Sequence, residues 1–141
     1  MAIERVTAVD DELVAAIARL IPQLSTAKPP THQQLSALVA SPDATLLIAR
    51  NASGAVVGAL VLTLYRILTG AQARIDDVVV DEAARGTGIG EALSREALRI
   101  ARDQGARSVN LTSRPERVAA NRLYQRLGFE RLATNAYRFR F

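Results

Sequence analysis

Cysteine is absent from this 141-residue sequence, histidine occurs once (His32), lysine once (Lys28), and aromatic residues make up 4%. Without cysteine there is no disulfide, no thiolate metal site and no cysteine nucleophile, and the expected compartment is the cytoplasm. One histidine excludes a multi-histidine metal site within one chain, so no metal is expected. The scarcity of aromatics removes the stacking cluster of a single-stranded nucleic-acid binder. No apolar run approaches the roughly 18 to 20 residues of a membrane span, and Met1-Ala2-Ile3-Glu4-Arg5 lacks the hydrophobic region of a signal peptide. Repeats, low-complexity tracts and long linkers are missing as well.

The chain is 49% hydrophobic and 23% charged, an ordinary balance for one globular domain spanning residues 1–141. Its net charge is +4 and its isoelectric point near 10.3. The basic residues are nearly all arginine and are scattered from Arg5 to Arg140. That spread disfavours nucleic acid as a partner, lacks a recognition-helix pattern, and suits an anionic small ligand equally well.

Ala2 to Ala8 reads as a strand. Asp10 or Asp11 then caps a helix with Leu13, Ile17, Leu20 and Ile21 on one face, and Pro22 stops it. Thr31-His32-Gln33-Gln34 has the form of a capping box and opens a short helix. Strands are expected over Thr45 to Arg50, Ala55 to about Leu64, and Ala73 to Val80. A helix from Gly88 to Gln104 would bury Ile89, Leu93, Ala97, Ile100 and Ala101, with Gly105 ending it. Ser108 to Thr112 reads as a strand and Arg117 to Leu127 as a helix ended by Gly128. Phe129 to Leu132 and Ala136 to Phe141 look like a closing strand pair, since Tyr137, Phe139 and Phe141 alternate with Arg138 and Arg140. This order predicts a mixed α/β sheet.

The informative segment runs from Val78 to Leu93. A β-branched strand enters a short loop, and Gly86, Gly88 and Gly90 open an amphipathic helix. Glycines let the backbone approach a bulky anion, and a helix N-terminus offers unpaired N–H donors and a positive dipole. The stretch Arg85-Gly86-Thr87-Gly88-Ile89-Gly90 therefore reads as a phosphate or pyrophosphate cradle. A Walker loop needs a lysine after its glycines, and none follows. A dinucleotide fingerprint needs glycine at 91 or 93, where Glu91 and Leu93 stand. A tight turn that binds nothing is the bland alternative, and three glycines opening a helix are costly for that alone.

The run R-G-T-G-I-G resembles the acetyl-CoA signature [QR]-x-x-G-x-[GA] of the GNAT superfamily of N-acetyltransferases. The preceding strand Ile75-Asp76-Asp77-Val78-Val79-Val80 strengthens the likeness. So does Ala119-Ala120-Asn121-Arg122-Leu123-Tyr124-Gln125-Arg126-Leu127-Gly128-Phe129, which resembles the superfamily's A-x-x-L-Y-x-x-x-G-F. The resemblance covers about Val56 to Glu130 with motifs. It implies a central, mostly antiparallel sheet of six to seven strands with a splayed pair, and about four helices. It also implies acetyl-CoA as cosubstrate, held by main-chain contacts at Val78 and Val80, by the N–H groups from Arg85 to Gly90, and by Asn121, which would touch the pantetheine or orient the loop.

By the same resemblance Tyr124 is the candidate general acid, placed to protonate or hydrogen-bond the leaving thiolate. An ammonium acceptor must lose a proton before attack, and two mid-strand aspartates, Asp76 and Asp77, are candidates for the base. Adjacent strand residues point to opposite faces, so at least one should meet the core or the cleft. In the polyamine and glucosamine-phosphate branches this place reads Glu-Asp. Here Asp76 takes the glutamate's place, one methylene shorter, so a water relay through Asp76 is favoured and Asp77 has a structural alternative. Leu111-Thr112-Ser113 departs from the glucosamine-phosphate branch's Leu-Asp-Cys. The acceptor is a small-molecule or peptide amine, reached across the loop Leu24 to Thr31, with His32 read as solvated. Many superfamily members are dimers, and the aromatic last strand would suit a homodimer interface. The alternative function is a catalytically silent acetyl-CoA sensor of the same fold.

Overall fold

The computed structural model describes residues 1–141. Five strands form one sheet in the order β1-β2-β3-β4-β5: β1 (Ala2–Arg5), β2 (Ala44–Arg50), β3 (Val56–Ile67), β4 (Gly70–Val80) and β5 (Val109–Asn110). Neighbours pair antiparallel except β4 and β5, which run parallel and meet only at Ala73↔Val109 and Arg74↔Asn110. The chain also forms four α-helices: α1 (Asp11–Leu20), α2 (His32–Ala40), α3 (Ile89–Asp103) and α4 (Val118–Arg126).

Period-two burial explains how one sheet carries helices on both faces. On β2, Leu47 and Ala49 pack with α3 residues Ile89, Leu93, Ala97, Ile100 and Ala101. Leu46 and Ile48 pack the other way, with Leu13, Ile17 and Leu20 of α1 and Leu35 of α2. The expected buried face of α3 is the observed one. Asp10 caps α1 through Leu13 N–H at 2.8 Å, and the Thr31–Gln34 capping box is fully formed. Gly58 explains how closely α3 approaches: a Cβ there would lie 2.9 Å from Ile89 Cγ2 and 3.3 Å from the Val79 carbonyl oxygen.

Two departures matter. The sheet has five strands because residues 129–141 form no strand. The alternation Tyr137, Phe139, Phe141 is real, but all three side chains are exposed, and no other segment of the chain pairs with the tail. A strand pattern becomes a strand only when an edge is there to receive it. The second departure is a bulge in β4. Ala59 pairs with Val79, yet Val61 pairs with Asp76, so β4 carries one extra residue across this interval. Asp77 absorbs it with φ +53°, the only non-glycine residue in the left-handed region. Ile75 and Val78, three apart, consequently pack toward the same α3 side.

Candidate active site

The loop from β4 to α3 builds the cradle. Asp81 N–H bonds Val57 O at 2.8 Å, and the Asp81 side chain accepts from Ala83 N–H while pairing with Arg19 of α1. Gln23 Oε1 accepts from Glu82 N–H at 2.8 Å, so the loop is tied to the segment that follows α1. A single turn of tight helix, Glu82–Ala84, leads to Arg85, whose Nε donates to Val80 O at 3.2 Å. Gly86 and Gly88 then take φ +79° and +83°, and a Cβ on either would meet nothing within 4 Å. Their backbone conformation requires glycine, and the space over them is free of protein. The first bond of α3 runs from Ala92 N–H to Gly88 O, and no side chain caps this end. The N–H groups of Ile89, Gly90 and Glu91 therefore point out of the helix end, with the dipole behind them. Gly90 serves packing: a Cβ there would lie 3.3 Å from Leu123 Cδ2 of α4.

An open cradle of N–H donors fits a pyrophosphate. A second space lies beside it. Beyond the two pairs that join them, β4 and β5 diverge, and a cavity of about 420 Å³ opens between Ile75–Val78 on one side and Leu111–Arg114 on the other. Tyr124 lines it, as do Leu24, Arg117 and Arg138. Leu111, Thr112, Ser113 and Tyr124 also border a larger space of about 780 Å³ between α4, β5 and the tail.

Both aspartates line the 420 Å³ cavity, whereas strict strand alternation would send one of them away. The bulge at Asp77 is the reason. Their surroundings differ. Arg74 Nε lies 3.1 Å from each carboxylate oxygen of Asp76. Asp77 has no ion-pair partner, and desolvation, followed by the charge of Asp76, raises its pKa above the usual carboxylate value. Tyr124 is buried, with its ring edge-on to Phe129 at 5.7 Å between centroids. Burial raises its pKa, and the positive charge of Arg117 partly opposes that rise. The phenol is thus protonated at neutral pH.

Asn121 uses its side-chain N–H groups on the chain itself, donating to the carbonyls of Arg114 and Arg117 at 2.9 Å each. Of the two roles considered for it, this geometry matches orientation of the loop before α4. Val78 lies along the cavity and Val80 directly precedes the cradle loop. His32 is exposed and bonds Ser36 Oγ at 3.3 Å, away from the cavity. The residues that sequence reasoning missed are Arg114, Arg117, Arg138 and Ser113. Ser113 Oγ is buried without a hydrogen-bond partner. The density of arginine in the chain hid the first three, because nothing local separates a cavity arginine from a solvated one.

Comparison with known proteins agrees with this geometry. The Acetyltransferase (GNAT) family matches residues 9–129. An uncharacterized N-acetyltransferase of Methanocaldococcus jannaschii is 43% identical over 58 residues, covering 41% of this chain and 26% of that protein, so the match spans about a quarter of the relative's length. The crystal structure of a Trypanosoma brucei acetyltransferase is 25% identical, with TM-score 0.78 over 99% of this chain and all of that one. A structure described as a transcriptional regulator from Bacillus halodurans is 28% identical, with TM-score 0.77 and 99% of both chains covered. With the splayed β4–β5 pair, the glycine cradle at the start of α3 and a family match from residue 9 to residue 129, this chain belongs to the Acetyltransferase (GNAT) family.

Proposed function

We propose that the protein moves an acetyl group from acetyl-CoA to a primary amine by direct attack, both substrates being bound at once. The observation that carries this reading is continuity along β4. The cradle follows Val80, and Asp76, Asp77 and Tyr124 line the cavity that opens a few residues upstream. In this reading the N–H groups from Arg85 to Gly90 hold the pyrophosphate and Val78 and Val80 guide the arm through their main chain. Acetyl-CoA supplies an acyl group already activated as a thioester.

Asp77 accepts the proton that the ammonium must lose. The sequence favours Asp76 as the base, but its pairing with Arg74 makes Asp77 the freer acceptor. As the new C–N bond forms and the C–S bond breaks, the Tyr124 O–H donates its proton to the departing thiolate, and the second proton shed by the attacking nitrogen restores the phenol. The absence of cysteine suits a route without an acyl-enzyme. A coupled thiol-release assay over a panel of amines tests the proposal, with amine-dependent release as the expected result. A silent acetyl-CoA sensor is the second reading, favoured by the regulator among the similar structures. Saturable acetyl-CoA binding with no release from any amine would establish that reading instead.

Asp77 makes two further outcomes calculable in sign. A carboxylate whose pKa rises on folding binds its proton more tightly in the folded chain. Stability therefore falls as pH climbs from the ordinary value near 3.8 to the raised one, and stays lower above it. Asp77→Asn should raise the melting temperature at neutral pH and leave it unchanged at pH about 3, where both forms are neutral. The same variant should lower kcat/KM roughly tenfold at neutral pH, less than a typical loss of general base, because bulk water also deprotonates the amine. It should also erase the rise in rate with pH that Asp77 ionisation produces. A melting temperature lowered equally at both pH values would contradict the assignment.

A homodimer belongs to the same reading, the exposed Tyr137, Phe139 and Phe141 meeting a second copy. Sedimentation at twice the 15.2 kDa chain mass is expected, and a monomer at every concentration would remove it.

A further inference from the structure

The cavity between β4 and β5 holds charges of both signs that the protein leaves unpaired. Arg114 and Arg117 enter from the loop before α4 and Arg138 from the tail, facing a wall that carries Asp76 and Asp77. The chain's ion pairs within 4 Å involve none of these three arginines, nor Asp77; Asp76 alone is paired, with Arg74. Arg19, Arg50, Arg95 and Arg99 bond carboxylates elsewhere in the chain, and what distinguishes Arg114, Arg117 and Arg138 is that all three border one cavity. Three guanidinium groups free of ion pairs at one cavity can together receive an anion, and the unpaired carboxylate opposite can receive a cation.

Resting on the acetyl-transfer reading of this cavity, we propose that the acceptor is an amine that also carries an anionic group, a carboxylate or a phosphate. Its ammonium sits against Asp77, and its anion is received by Arg138 with Arg114 and Arg117. Arg138 is the discriminating residue. It comes from the tail, which takes no part in the cradle, so its charge serves the acceptor rather than the cofactor phosphates. The tail, which forms no strand, thereby has a use: it closes the acceptor side with a donor fork. A polyamine is disfavoured on the same grounds, since its second cation would meet the guanidinium groups.

The test compares matched acceptors in the thiol-release assay with the full chain: glucosamine against glucosamine 6-phosphate, glycinamide against glycine, and spermidine. The anionic member of at least one pair should show about tenfold higher kcat/KM, and which pair responds separates phosphate from carboxylate. In Arg138→Gln that ratio should collapse toward one through a higher KM for the anionic acceptor, with no matching rise in KM for acetyl-CoA. Equal rates within both pairs, a preference for spermidine, or a loss confined to acetyl-CoA KM would overturn the proposal. Release from no amine at all would defeat the transfer reading instead. Calorimetric titration with the same pairs then decides the acceptor class alone: tighter binding of the anionic members, weakened by Arg138→Gln, supports it, and equal binding overturns it.

Discussion

Tyr124→Phe should lower turnover about a hundredfold while leaving acetyl-CoA affinity within about twofold. The substitution removes one oxygen and keeps the ring, so the edge-on contact with Phe129 and the burial beneath the cavity survive. Tyr124→Ala would be a poorer probe, because losing a buried ring costs about 3–5 kcal/mol of stability by itself. What phenylalanine cannot do is give a proton to the departing thiolate. The wild-type phenol holds its proton through the neutral range, since burial shifts its pKa upward and Arg117 only partly opposes that shift. Stopped-flow measurement of the chemical step, set beside an equilibrium titration with acetyl-CoA, separates the two quantities. A rate equal to wild type would remove Tyr124 from the mechanism.

The second large effect concerns the donor. Gly88→Val should weaken acetyl-CoA binding about a hundredfold, the equivalent of losing one or two charge-assisted hydrogen bonds. Gly88 has φ +83° at the start of α3, a conformation in which a β-branched residue is strained by about 1–3 kcal/mol. Relief of that strain would rotate the helix entry and turn the cradle N–H groups away from a common point. Gly105 supplies the matching control. It has φ +85° just beyond the other end of α3, and a Cβ there likewise meets nothing within 4 Å. Gly105→Val should cost comparable stability and leave acetyl-CoA affinity intact. Equal losses of affinity in both variants would mean that the cradle has no special part in binding.

Local chemistry wrote much of this structure plainly. The 3.6-residue spacing from Ile89 to Ala101 marks the buried face of α3, because a helix shows its burial as a period. Thr31 and Gln34 announce a helix start through a bond pattern three residues long. The cradle's turn is similarly legible, since Gly86 and Gly88 are required by backbone angles within the loop itself. What stayed hidden depends on partners distant in sequence. The alternation of Tyr137, Phe139 and Phe141 describes side chains and is silent on whether an edge is available to the backbone. The bulge is a mismatch of count between β3 and β4, invisible in either strand alone. Asn121 belongs with these cases: its amide is committed to the carbonyls of Arg114 and Arg117 by the path of the loop.

The bulge at Asp77 has a consequence for how this sequence can change. An extra residue in β4 brings both aspartates to one cavity and also decides which valines that follow face α3. Chemistry at residues 76 and 77 can be exchanged by substitution, provided residue 77 still accepts a left-handed backbone. Their number cannot. Removing one residue there would restore strict alternation and turn Val78, Val79 and Val80 inside out just before the cradle. Variation that preserves the site must therefore conserve spacing before identity, and a single-codon deletion at this point is a heavier change than replacing both carboxylates.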